Sequence, residues 1–254
     1  MLRKVDRSGL KTISLSALIF IALVSIPVLG GSARELSPSA QGTVSQTSQP
    51  AFTLTTSRKM TRADGQERLL SSQQRFQRSD GIFKLVQTLY APDGTTERVQ
   101  TLFGFIGLGV FRLDEGQKRL VFTGPQIDDR PTDVEQFLRA HELFTREESV
   151  AGIGTLVWRQ AGPAEGDFLE EYRAPSLGGL LVKTVKVSTL GRETVEPTAI
   201  RMGEPAPSLF NELLSYRVDY SSYERQVQET EKRNDPETAL LMRQLLERMR
   251  QARP

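Results

Sequence analysis

The sequence predicts an α+β chain: a long-stranded, curved antiparallel sheet, half-barrel-like, with one short central helix and C-terminal helices. Three observations predict it. Asp-Gly recurs at Asp64-Gly65, Asp80-Gly81 and Asp93-Gly94, each time between runs of alternating side chains. Asp-Gly in that setting is the strongest short hairpin signal. The repeats are about 15 residues long, so the strands are long and form a meander. Alternation then gives way to helical spacing twice, once in the middle of the chain and once at its C-terminal end.

The elements follow in order. Residues 52–61 alternate and turn at Ala63-Asp64-Gly65-Gln66; residues 68–78 follow and turn at Ser79-Asp80-Gly81. Residues 82–90 place Phe83, Leu85 and Leu89 on one face and Val86 and Tyr90 on the other. Pro92-Asp93-Gly94-Thr95 leads into 98–105, and a further hairpin joins 110–113 to 120–122 around Asp114-Glu115-Gly116. From 132 to 144 the texture changes: Val134, Phe137, Leu138 and His141 recur at helical spacing, after Pro131 and a Thr132 or Asp133 cap. Strands resume at 155–160, 168–173, 180–188 and 192–202, with Val182, Val185 and Val187 giving β-branched enrichment. Gly203-Glu204-Pro205-Ala206-Pro207 ends the sheet.

The C-terminal segment reads as helical. Residues 216–233 are mostly polar, and Asp235-Pro236-Glu237 supplies a cap, a first-turn proline and a first-turn acid. Leu241, Leu245, Met249 and Ala252 form a stripe, widened by Met242 and Leu246. Arg243, Arg248, Arg250 and Arg253 suit the negative end of the helix. Two readings stay open: a helix packed on the sheet or trailing into solvent, and a short oligomerisation helix. The stripe is too short to define a coiled coil.

The first 33 residues set the compartment. Arg3, Lys4, Arg7 and Lys11 precede an apolar stretch from Leu15 to Leu29, followed by Gly30, Gly31, Ser32 and Ala33. A basic start, an apolar core, a breaker at Pro27 and small residues make an export leader. Cleavage after Ala33 fits the small-residue rule; residues 12–31, uncharged and about one bilayer crossing long, fit a retained anchor. Either way the body lies outside the cytoplasm: periplasmic, secreted, or held by one N-terminal helix. The chain therefore divides into the leader (1–33), a Ser/Gln/Pro-rich flexible linker (34–50), an antiparallel β-domain (51–215) and the helical segment (216–254).

Composition excludes several functions. The leader holds four of the 33 Lys/Arg and one of the 31 Asp/Glu, so the remaining body carries a net charge of −1 despite the pI of about 8.9. No electrostatic footprint for nucleic acid remains. The absence of cysteine excludes disulfides, a lipidated cysteine and thiolate chemistry. There is no Asn-x-Ser/Thr sequon.

A search for chemistry returns no catalytic residue, no metal ligand set, no cofactor and no defined ligand-binding residue. His141-Glu142-Leu143-Phe144-Thr145 begins like the zinc-protease helix, but Thr145 stands where the second histidine belongs and His141 is the only histidine. A structural role on the short helix is expected of it. Gly-x-Ser-x-Gly is absent, His141 would have to be the only histidine base for serine hydrolysis, and no spacing points to a Ser-Lys dyad. Gly104, Gly107 and Gly109 lack the spacing of a phosphate loop and read as a bend where backbones approach closely. The acid pairs Asp114-Glu115, Asp128-Asp129 and Glu147-Glu148 read as solvated turn residues with no calcium-loop spacing. Trp158, the single tryptophan, reads as a core or sheet-face residue, with ligand stacking as the alternative.

Two segments carry a family resemblance. Residues 170–184, through Tyr172-Arg173-Ala174-Pro175-Ser176-Leu177-Gly178, resemble a late hairpin of uncharacterised bacterial exported proteins that set a Tyr-x-Ala-Pro-x-Leu-Gly turn between two strands. Met202-Gly203-Glu204-Pro205-Ala206-Pro207-Ser208-Leu209-Phe210 resembles the segment that closes the sheet in the same proteins. Their layout is distantly similar to the half-barrel of the outer-membrane lipoprotein chaperones. The resemblance implies an envelope protein whose half-barrel holds an apolar ligand or a lipidated chain. A structural or interaction protein of the envelope with no ligand cavity is the alternative. An open apolar cavity on the concave face favours the first; a face plugged by the chain's own side chains favours the second.

Overall fold

The computed structural model describes residues 49–106, 109–126, 131, 133–233 and 235–251. The expected leader and the expected linker up to residue 48, with Gly107, Asp128, Asp129, Thr132, Ala252 and Arg253, lie outside them, as does the side chain of Met249. In chain order the elements are β1 (Phe52–Thr61), β2 (Glu67–Gln77), β3 (Ile82–Tyr90), β4 (Thr96–Phe105), β5 (Gly109–Asp114) and β6 (Arg119–Gly124). Then come α1 (Val134–Ala140), β7 (Phe144–Val150), β8 (Ile153–Ala161), β9 (Phe168–Ala174), β10 (Leu180–Ser188) and β11 (Gly191–Met202). The chain ends with α2 (Asn211–Ser215), β12 (Arg217–Asp219), α3 (Ser221–Lys232) and α4 (Pro236–Gln251).

The twelve strands among the described residues join one curved, unclosed sheet in the order β12-β6-β5-β4-β3-β2-β1-β11-β10-β9-β8-β7. Every pairing is antiparallel except β12 on β6. Hairpins build each half, and β1 against β11 joins the halves. The three Asp-Gly turns share one construction. Each aspartate accepts a backbone N–H two residues on: Gln66 to Asp64 at 3.0 Å, Ile82 to Asp80 at 3.1 Å and Thr95 to Asp93 at 2.9 Å. The glycine between them takes φ of +82°, +86° or +83°, a conformation a side chain resists.

The sheet has an apolar cluster on each face. Register places Phe76, Lys84, Phe103 and Phe111 side by side, hence on one face. There Phe103, Phe105, Phe111, Leu120 and Phe122 are buried under Phe210, Tyr223, Val227 and Leu246. The C-terminal helices thus roof this half of the sheet. Lys84 fixes the roof's near corner: its Nζ donates to Leu209 O at 3.0 Å and to Glu212 Oε1 at 2.6 Å. Phe52 and Leu54 sit beside Gln77 and Arg75, so they point from the opposite face. They share a second cluster with Val150, Val157, Tyr172, Ala174, Leu177, Val182 and Val185. Side chains from β1 and from β7 to β10 join there, so the sheet bends around them. In β8 the neighbours of Val157 turn the other way: Leu156 and Trp158 pack with Leu138 of α1.

Three sequence expectations change. The central helix is shorter than 132–144, because His141 takes an extended conformation (φ −71°, ψ 138°) and Phe144 begins β7. Asp133 is its cap, accepting the Gln136 N–H at 2.8 Å. The pair Glu147-Glu148 lies on β7, an edge strand, and not in a turn. The segment after Tyr216 opens with β12, three residues parallel to β6, before its helices.

Candidate functional site

Three places gather polar or aromatic side chains. The first surrounds Trp158. His141 stacks on its ring at 3.9 Å between centroids and 15° between planes, and the Arg173 guanidinium lies 4.6 Å from the indole ring centroid. The indole N–H donates to Leu138 O at 2.9 Å, so α1 is latched to β8 by the tryptophan. His141 Nδ1 accepts the Leu143 N–H at 3.2 Å. Trp158 is 9% exposed, so its aromatic surface serves packing inside the chain.

The second is an ionic lattice across β7, β8, β9 and β10. The Glu170 side chain, 8% exposed, accepts from Arg146 at 2.9 Å, Arg159 at 3.4 Å and the Tyr172 hydroxyl at 3.0 Å. Arg146 also holds Glu148 at 3.1 Å, and Lys183 lies 4.5 Å from the Tyr172 ring centroid. Arg146 holds the Glu170 carboxyl below the usual carboxylate range, outweighing the burial that opposes it. Burial first, then Glu170, pushes the Tyr172 phenol up to about 12. Every charge here has a partner, so the lattice joins strands.

The third is a cleft of about 490 Å³ lined by Arg98, Val99, Gln100, Thr101, Arg112, Leu113, Asp114 and Glu115. It arises from topology. β4 pairs with β3 over Thr96–Phe105, but with β5 only from Leu102 opposite Arg112 to Phe105 opposite Gly109. Beyond that point β5 follows β6 and leaves β4, so Thr96 to Thr101 keep one free backbone edge. Asp114 is engaged: the Gln117 N–H is the main cause holding its carboxyl low, followed by Arg119 at 3.2 Å. The Arg98 and Arg112 residues are exposed and, among the described residues, their side chains make no hydrogen bond or ion pair.

The singled-out sequence residues are scattered. Asp114 and Glu115 line the cleft. Glu147 pairs with Arg139 at 2.5 Å and Glu148 with Arg146, far from Asp114 in the strand order. Gly104 lies inside β4 for a reason other than a bend: a Cβ there would come within 1.9 Å of the Phe83 ring, which lies across it from β3. Gly109 opens β5. Among the described residues no three His, Asp or Glu could hold a metal ion, and no helix is long and apolar enough to cross a membrane. Arg98 and Arg112 escaped the sequence reading, because nothing in the local pattern marks where two paired strands will part.

No family model and no curated protein matches the chain. Solved structures give distant likenesses. A chain of the Pseudomonas aeruginosa MucA/MucB complex is 18% identical with a TM-score of 0.37; the match covers 65% of this chain and 56% of that one. This chain thus spans little more than half the length of that relative. LprF from Mycobacterium bovis is 10% identical with a TM-score of 0.26, over 63% of this chain and 88% of that one. A putative outer membrane lipoprotein-sorting protein domain from Vibrio parahaemolyticus is 13% identical with a TM-score of 0.22, over 64% and 90%. With TM-scores below 0.5, none of the three carries an argument about what this chain does.

Proposed function

We propose that the chain is an extracytoplasmic interaction protein of the cell envelope, its sheet filled by its own side chains. The observation that carries this is closure of both apolar clusters from within. Phe52, Val157, Tyr172, Val182 and Val185 fill one face, and Tyr223, Val227 and Leu246 of the C-terminal helices cover the other. The leader, cut or kept as an anchor, supplies the compartment.

A second reading is a carrier of an apolar or lipidated chain, and the roof favours it. Helices α3 and α4 follow the sheet strands in sequence, and Leu240 and Leu241 of α4 stay 55% and 65% exposed. Lifting the roof would bare Phe103, Phe111 and Phe122 to an apolar guest.

One experiment separates the two. Full chain isolated from envelopes without detergent is analysed by lipid mass spectrometry and titrated with an apolar fluorescent dye. The interaction reading expects no stoichiometric lipid and a dark dye, which lights up on a chain ending at Arg233. Stoichiometric lipid on the full chain overturns it in favour of the carrier.

A further inference from the structure

Where β4 leaves β5, the sheet keeps an unpaired strand edge in its interior. Residues 96–101 bond β3 on one side only, and past the bulge at Glu97 every second residue of 98–101 turns its N–H and C=O toward the cleft. Such an edge is a template for another strand. Its two faces differ chemically. Arg98, Gln100 and Leu102 alternate on one, and Arg112 opposite Leu102 shares that face. Val99 and Thr101 alternate on the other, with Leu113 next to Arg112 on the same side as Val99. The two guanidiniums are therefore on one face, both exposed; Asp114 beside them is hydrogen-bonded by Gln117 and Arg119 and feels Arg112 only through space, and Glu115 lines the same cleft. Val99, 57% exposed, is the apolar side chain left open on the other face.

We propose that this cleft receives an extended segment of a partner protein, added as a strand along residues 96–101 of β4, with acidic side chains alternating with apolar ones. Backbone bonds to the free edge hold the segment. Its acids meet Arg98 and Arg112, and its apolar side chains cover Val99 and Leu113. The opposite alternation places apolar groups against two cations and acids against Val99, so sequence and register are both selected. The proposal rests on the interaction reading and names its site.

The test uses the full chain and three synthetic hexapeptides: acetyl-EVEVEV-amide, its lysine counterpart acetyl-KVKVKV-amide, and acetyl-EVPVEV-amide, whose proline removes a strand donor. Affinity is read by titration, and the site by amide exchange over residues 96–101 and 112–115. The acidic peptide should bind and slow exchange at 96–101; the other two should bind at least roughly tenfold more weakly. Arg98→Glu with Arg112→Glu, both at exposed positions, should reverse the preference toward the lysine peptide. Reversal by the double variant also shows that it remains folded. Binding without protection at 96–101, an unchanged preference in the double variant, or binding by none of the peptides each overturns the proposal. All three outcomes leave the interaction reading to its own lipid test.

Discussion

In the β3–β6 half of the sheet, Phe103, Phe111 and Phe122 are buried beneath helices that arrive more than eighty residues later in the chain. Phe122 meets Phe111 at 5.3 Å, Tyr220 at 5.8 Å and Tyr223 at 4.8 Å between ring centroids. In the β7–β10 half the strands are joined by Arg146, Glu170, Tyr172 and Lys183, and the covering helix, α1, is latched by Trp158. The first half depends on apolar area and remote sequence. The second depends on short hairpins and paired charge near an edge strand. Apolar burial is insensitive to pH and to the ionic strengths that screen charge; the ionic lattice is sensitive to both.

Phe122→Ala should break the first half with the largest effect. The residue is 1% exposed, so truncation leaves a cavity beneath the roof and costs about 3–5 kcal/mol. Urea unfolding measures it, and the loss should not change with salt. A loss below about 1 kcal/mol would show that the helices are not coupled to the sheet.

Gly104→Ala probes the same half from its other face. Phe83 lies over Gly104, is 4% exposed, and carries the Arg75 guanidinium 4.1 Å from its ring centroid. The added methyl must displace the ring and the arginine above it, at about 1–3 kcal/mol. Phe83→Leu in the same chain should recover part of that loss in denaturant melts, because the two changes share one space. Simple additivity would mean that the glycine serves the backbone.

Strands β1 to β4 were legible because Asp-Gly turns, whose carboxylate and glycine act locally, separate them, and β10 because Val182, Val185 and Val187 give it a β-branched run. Residues 52–61, 82–90 and 180–188 are strands in both the pattern and the structure. Strand β7 was not legible: Arg146, Glu147 and Glu148 cover an edge with charge, which protects it from other strands and hides its alternation. Strand β12 is too short to carry a pattern and exists because β6 offers it an edge. The segment expected to be an export leader lies outside the described residues. The candidate cleft was the least legible part. Arg98 and Arg112 lie on different strands, and only the end of a register makes them neighbours of one space.

Glu170→Gln sharpens the other side of the comparison with the smallest effect. The amide keeps the shape and still accepts from Tyr172 or one arginine, but it loses the charge facing Arg146 and Arg159. Those arginine side chains are 41% and 48% exposed, so water screens the pair and the cost is about 1 kcal/mol. The pH dependence gives the sharper reading. Arg146 depresses the folded carboxyl, so the stabilisation is full above the unfolded carboxylate value. It is lost as pH falls through the folded one. Melting of the wild type should therefore decline more steeply with acid than melting of Glu170→Gln, the two curves converging at low pH. At the alkaline end the sign reverses: Tyr172 is held neutral up to about 12, so its contribution is intact below the free phenol value near 10 and disappears between the two. Parallel curves for wild type and variant across the acid range would mean that the β7–β10 half is held by its valines and the lattice only decorates them.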